Sequence, residues 1–246
     1  MDIIQASVSK NQFLPYRESK MSALLDLFMK SKRRLHKWTH YLDIYDGFFS
    51  KYRGKQINIL EFGVAQGGSL ELWRDYFGER CNVYGIDIEP LCKQAESDRI
   101  KVYIGSQRDE KFNAEMMKVL PEMDIIIEDA SHQMVDQIGT FKNFWPKVKN
   151  GGFWVTEDTH TSYFVRHFGG GCRKKGTFIE FIKTLIDPMQ AWWSHEPDTF
   201  KVDKYTKSVK ALHFYSTLVI IEKDDVQEPH TVKVGEVLDM KIRGSK

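Results

Sequence analysis

From residue 56 onward the hydrophobic positions fall into short runs separated by amphipathic stretches. Ile57–Phe62, Asn82–Ile86, Ile100–Ile104, Met123–Ile127 and Gly152–Val155 each read as a buried strand. The stretches between them, Ser69–Phe77, Asp109–Val119 and Met134–Trp145, space their apolar residues as helices do. Alternation of this kind predicts βαβ units, with a mostly parallel sheet covered by helices on both faces. Before residue 56 the pattern is helical. Leu24, Leu25, Leu27 and Phe28 mark a helix over Met21–Lys30, and Trp38, Tyr41, Leu42 and Tyr45 form one stripe of a helix over Trp38–Phe49. After Gly169-Gly170-Gly171, read as a hinge, an amphipathic helix is predicted over Thr177–Ile186. Leu212–Glu222 then reads as one long β-rich segment and Thr231–Met240 as another strand or an irregular tail, together the closing antiparallel strands of a mixed sheet. The expected architecture is a Rossmann-like α/β domain with a seven-stranded, mostly parallel sheet and an antiparallel C-terminal strand. Residues 1–55 are expected as an N-terminal helical cap, and residues 56–246 as the main domain, the two forming one unit.

Composition narrows the classes of function. Lys+Arg minus Asp+Glu is 36 − 34 = +2, which gives no strong field for nucleic acid or an anionic membrane. No apolar run approaches the length that spans a bilayer, and the N-terminus lacks the pattern of a signal peptide. Three cysteines without CxxC spacing argue against a disulfide framework or a Cys-rich zinc site and place the chain in the cytoplasm. The basic run Lys30, Lys32, Arg33, Arg34 and Lys37 reads as a solvated face, with phosphate binding as the alternative.

The strongest local signal is Glu61-Phe62-Gly63-Val64-Ala65-Gln66-Gly67-Gly68-Ser69, a buried strand running into a glycine turn that opens a helix. Such a turn sets backbone amides and a helix N-terminus at the carboxyl edge of the sheet. Asp87 ends the next strand, where ribose hydroxyls are gripped. A dinucleotide fingerprint wants glycine where Ala65 stands, and the charge of Glu61 opposes a pyrophosphate. The same carboxylate suits a cofactor with a cationic amino-acid end, S-adenosylmethionine (SAM), so SAM is preferred over an NAD-like ligand or a structural turn. Gln107, after the third strand, is a candidate adenine contact.

Asp129 follows the fourth strand and Glu157-Asp158 the fifth, so three carboxylates are expected to converge at the edge that carries the glycine turn. Oxygen ligands with no cysteine favour Mg²⁺ or another hard divalent cation, which would chelate vicinal hydroxyls of an acceptor. The competing reading makes Asp129 and Asp158 helix caps.

Ile59–Trp73, Val83–Pro90, Gly105–Asp109, Ile125–His132 and Gly151–Tyr163 together resemble the class I SAM-dependent methyltransferases. Within them, Ile127-Glu128-Asp129-Ala130-Ser131-His132 and Val155-Thr156-Glu157-Asp158-Thr159-His160 are similar to the metal-dependent sugar O-methyltransferases of macrolide and rhamnosyl-polyketide tailoring and to cephalosporin-hydroxylase-related proteins. The resemblance runs from about Lys37 to Lys223. It implies SAM and a divalent metal as cofactors, with Asp129, Glu157 and Asp158 as ligands, a small-molecule acceptor of the sugar class, and His160 as general base. His132 is read as orienting the acceptor or the Ser131 loop, or as a structural hydrogen-bonding residue, and is the next candidate for the base; a homo-oligomer is expected. The resemblance also places Lys37, Trp38, His40 and Tyr41 at the entrance to the site. The alternatives are a phosphorylated glycan precursor or an amine methylated without metal, and an NAD- or nucleotide-binding module. Arg173, Lys174 and Lys175 after the glycine triplet would suit a phosphorylated acceptor if that loop is a mobile lid, against a plain solvated loop.

Overall fold

A computed structural model describes residues 22–196 and 198–235. Seven strands form one sheet: β1 (Ile57–Phe62), β2 (Cys81–Asp87), β3 (Ile100–Ile104), β4 (Met123–Glu128), β5 (Val148–Thr156), β6 (Val209–Tyr215) and β7 (Leu218–Lys223). Their order is β3-β2-β1-β4-β5-β7-β6. β1 pairs in parallel with both β2 and β4, and β7 is inserted antiparallel between β5 and β6. The expected mixed sheet is therefore present, and its antiparallel strand is β7.

Alternate residues of each strand feed two cores. Ile59, Val83, Ile125, Ile127 and Val155 face one side, where α1 (Ala23–Met29), α2 (Thr39–Phe49) and α3 (Gly68–Phe77) pack. Leu60, Phe62, Ile126 and Trp154 face the other, against α5 (Met134–Phe144) and α6 (Phe178–Lys183), with α4 (Glu110–Val119) contributing Met116. A strand buried on both faces reads as an unbroken apolar run, which is why the sequence showed runs rather than alternation. Asp109 caps α4 by accepting from the amides of Lys111 and Phe112, and Ser22 and Thr177 cap α1 and α6 in the same way.

Several expectations are corrected. Trp38 does not join the buried stripe of α2. It is the N-cap residue with its ring 49% exposed, and Phe49 takes the fourth buried place. Leu212–Glu222 is broken by a turn at Ser216-Thr217, where Thr217 adopts φ 64°. The glycine triplet is tied down rather than hinged: the Gly170 and Gly171 amides donate to the carbonyls of Phe164 and Ser162. A Cβ on Gly170 would lie 2.4 Å from the Thr161 carbonyl oxygen, so glycine there permits close backbone packing. Residues 231–235 are irregular, and the rest of the expected Thr231–Met240 element, like Met21, lies outside the described residues. No helix among the described residues is long and apolar enough to cross a membrane.

Candidate active site

The chain leaves β1 toward β2 and β3 on one side, while β4 and β5 extend the sheet on the other. This reversal of strand order opens a crevice between the carboxyl ends of β1 and β4. The crevice has a volume of about 740 Å³. Its floor is tight: Gly63 has φ 92°, and a Cβ there would lie 2.1 Å from the carbonyl oxygen of Asp129. Gly68 is equally confined, since a Cβ would meet the Arg34 carbonyl oxygen at 2.4 Å.

The glycine turn spends its amides within the protein. Asp87 accepts from the amides of Val64 (2.7 Å) and Ala65 (3.1 Å) with one carboxylate oxygen and from Glu89 (2.9 Å) with the other. The Gly63 amide donates to the carbonyl of Ile86 and the Gly67 amide to that of Val64. Burial pushes the Asp87 carboxyl upward, but these backbone donors prevail and hold it below its ordinary value. With four turn amides committed, little of the cradle that a pyrophosphate needs is left.

Gly63, Gly68, Ser69, Asp87, Gln107, Asp129, Glu157, Asp158 and His132 all line the crevice, as their sequence positions predicted. Two expected cofactor contacts do not. Gly67 is turned away against Ala95. Glu61 is wholly buried beneath the turn, its carboxylate taken by Lys37 Nζ (3.2 Å) and by Trp73 Nε1 (3.1 Å). His160 also lies off the crevice lining: the 3-10 turn Thr159–Tyr163 carries its ring between Trp38 and Phe164, with Nδ1 3.9 Å from Asp158 Oδ1. His132, at φ 55°, turns Nε2 to within 3.6 Å of Asp158 Oδ2 and 4.0 Å of Asp129 Oδ1.

Neither Asp129 nor Asp158 caps a helix. The N-cap residue of α5 is Gln133, and Asp158, itself at φ 51°, makes no side-chain cap. The three carboxylates do converge, and two of them, Asp129 and Glu157, share a buried cation, Lys37, with Glu61. Lys37 Nζ lies 2.6 Å from Asp129 Oδ2 and 2.6 Å from Glu157 Oε1, with its side chain only 3% exposed. Burial alone would lower the Lys37 pKa, but the charges of Asp129, Glu157 and Glu61 outweigh it and raise that pKa well above the ordinary value. Burial, reinforced by the charge of Asp129, pushes the Glu157 carboxyl well above its ordinary range although Lys37 opposes it. Tyr45 donates to Glu157 Oε1 (2.8 Å), and Trp38 Nε1 donates to Asp158 Oδ1 (2.8 Å). Arg33 is likewise engaged, bonding the Gln66 carbonyl at the glycine turn and pairing with Glu71. The basic run therefore opens a strap, residues 33–38, laid across both halves of the crevice.

The donor chemistry fits a hard divalent cation. Asp129, His132 and Asp158 present ligand atoms that all lie within 4.8 Å of one another, partly open to the crevice. Three carboxylates, Glu61, Asp129 and Glu157, face one ammonium, and Asp158 stands beside them with no cationic Lys or Arg partner among the described residues, so the cluster as built has room for more positive charge.

No protein-family model matches the sequence. The chain is 32% identical over 197 residues to 8-demethyl-8-(2-methoxy-alpha-L-rhamnosyl)-tetracenomycin-C 3'-O-methyltransferase of Streptomyces olivaceus, a match covering 76% of this chain and 50% of that protein. It is 31% identical over 189 residues to mycinamicin VI 2''-O-methyltransferase of Micromonospora griseorubida, over 73% of this chain and 47% of that one. Among solved structures it is similar to the MycE methyltransferase of the mycinamycin biosynthetic pathway in complex with Mg and SAH. That likeness has a TM-score of 0.74 at 29% identity and covers 85% of this chain and 55% of the other. The chain spans about half the length of the curated relatives it matches.

Proposed function

The chain belongs to the class I SAM-dependent methyltransferases, and on that premise we propose that it transfers a methyl group from SAM to a hydroxyl of a sugar-bearing small molecule, assisted by a divalent cation. The observation that carries this reading is one crevice with two chemically distinct ends. One is a glycine turn with its amides already spent; the other is a carboxylate cluster partly open to solvent. A phosphate-free cofactor with a cationic end suits the first, and the curated relatives that the chain matches are sugar O-methyltransferases.

Asp87 is the proposed ribose contact and Gln107 the adenine-side contact. Asp129 and Asp158 are the principal ligands of the ion, with Glu157, whose Oε1 is committed to Lys37 and Tyr45, beside them. When bound, a divalent cation lowers the pKa of a coordinated hydroxyl and fixes its oxygen. His132 Nε2, facing both aspartates, is placed to accept the hydroxyl proton as the oxygen takes the methyl group. His160 and Trp38 support Asp158 from its far side, and the half-exposed Trp38 ring offers a wall for the acceptor. The near-neutral charge balance supports a small-molecule acceptor rather than nucleic acid or a membrane.

The test is transfer of labelled methyl from SAM to a panel of deoxyhexosyl and rhamnosyl glycosides, with Mg²⁺ and with EDTA. Product should form with Mg²⁺ and fall at least about 100-fold with EDTA. His132→Ala should lower kcat by about 100-fold or more across pH 6–9, and His160→Ala by about tenfold or less. The reverse order would return the proton to His160. Undiminished transfer in EDTA would remove the ion from the reaction.

A further inference from the structure

Lys37 sits where a free cation would be expected. Its three N–H donors are matched by three carboxylates, Glu61 (3.2 Å), Asp129 (2.6 Å) and Glu157 (2.6 Å). The three carboxylates by themselves form a group whose ligand atoms lie within 4.8 Å of one another, so the ammonium fills a ready-made cation hole. Asp129 is common to this group and to the more open one with His132 and Asp158, and it divides its two oxygens between them. Oδ2 bonds Lys37, and Oδ1 faces His132.

Two neighbouring residues of the strap hold the lysine in place. Four residues before it, Arg33 bonds the Gln66 and Gln94 carbonyls and pairs with Glu71. One residue after it, Trp38 Nε1 bonds Asp158 Oδ1 at 2.8 Å. Withdrawing the ammonium would disturb both, which marks it as a fixture of the site and not a plug to be expelled.

We propose that Lys37 is a positioning residue for the divalent ion: it satisfies the buried half of the carboxylate cluster and pins Asp129 through Oδ2, so that Oδ1 and the Asp158 carboxylate are presented to the ion in the crevice. This rests on the divalent-ion reading above. Without Lys37, Asp129 is free to rotate, and Glu61 and Glu157 lose their shared counter-charge. The vacated hole then competes for the oxygens that the open site needs.

The test uses the full chain with Mn²⁺ as probe, followed by calorimetry and by the electron paramagnetic resonance signal of free Mn²⁺, alongside titration with S-adenosylhomocysteine. Lys37→Met should weaken Mn²⁺ binding about tenfold or more while S-adenosylhomocysteine affinity stays within about threefold. A general loss of structure would move both affinities. If Lys37→Met does not fold, Lys37→Met/Glu61→Gln, with one buried carboxylate fewer, carries the same expectation for Mn²⁺. Mn²⁺ binding by the variant as tight as wild type, or tighter, would overturn the proposal alone and make Lys37 a bystander or a competitor. Absence of Mn²⁺ binding by the wild type would overturn the divalent-ion reading, and this proposal with it.

Discussion

Asp129 places two demands on one carboxylate, since one oxygen is buried against an ammonium and the other opens toward a histidine in the crevice. Its neighbour Glu128 points into the opposite core and is fully buried. Burial, with the charge of Asp129 adding to it, pushes the Glu128 carboxyl up to about 8. An acid with a raised folded-state pKa keeps its proton while the unfolded chain releases it. The folded state therefore loses stability as pH rises from the ordinary value of 4.5 to about 8, and the loss is complete above that. Glu128→Gln mimics the protonated acid. Its advantage over wild type should be near zero at pH 4.5 and grow to at most about 4 kcal/mol by pH 8, read as a widening gap between two melting curves. A gap that stays constant with pH would show that Glu128 is not the buried acid described. These roles were unequally legible. Asp129, Asp158 and His132 could be read because each follows a strand that ends at the crevice. Resemblance placed Lys37 only at the entrance, and its ion pairs were not legible, because its three partners lie 24, 92 and 120 positions away and nothing in a basic run marks which lysine turns inward. The placement of His160 was not legible for a local reason: Asp158 adopts φ 51° and starts a 3-10 turn, which sets His160 off the crevice lining.

Among the elements, the strands and their helices were readable because unbroken apolar runs and the 3.6-residue period both survive tertiary packing. The hairpin break at Thr217 and the strap of residues 33–38 were not, as both depend on backbone contacts with no hydrophobic period. The β1–α3 turn is the element most sensitive to substitution. At Gly63 a Cβ would combine φ 92° with a 2.1 Å approach to the Asp129 carbonyl, whereas at Gly169 φ is 75° but nothing lies within 4 Å. Gly63→Ala should therefore cost about 3 kcal/mol or more and abolish S-adenosylhomocysteine binding. Gly169→Ala should cost only about 1 kcal/mol and leave that binding intact. Thermal melts of the two variants decide the matter, and equal losses would show that backbone conformation alone, not the closeness of β1 to β4, sets the demand for glycine at the turn.

At the scale of the whole molecule, the strand order sets the cofactor turn on β1 and the carboxylates on β4 and β5 side by side, and the strap from the N-terminal helices bridges them. The net charge of +2 hides a local imbalance where the carboxyl ends of β1, β4 and β5 meet, with Glu61, Asp129, Glu157 and Asp158 gathered near one buried ammonium. That imbalance, beside a turn with few amides to spare, is the basis for preferring a sulfonium cofactor and a divalent ion over a dinucleotide. Calorimetric titration with S-adenosylhomocysteine and with NAD, each in Mg²⁺ and in EDTA, tests this preference most directly when Asp158→Asn is run beside wild type. Asparagine tolerates the left-handed backbone of Asp158, so the variant should fold as wild type does. S-adenosylhomocysteine should bind and NAD should not, with a separate Mg²⁺ heat in wild type that Asp158→Asn loses while keeping its S-adenosylhomocysteine affinity within about threefold. NAD binding in place of S-adenosylhomocysteine, or a Mg²⁺ heat unchanged in Asp158→Asn, would contradict that preference.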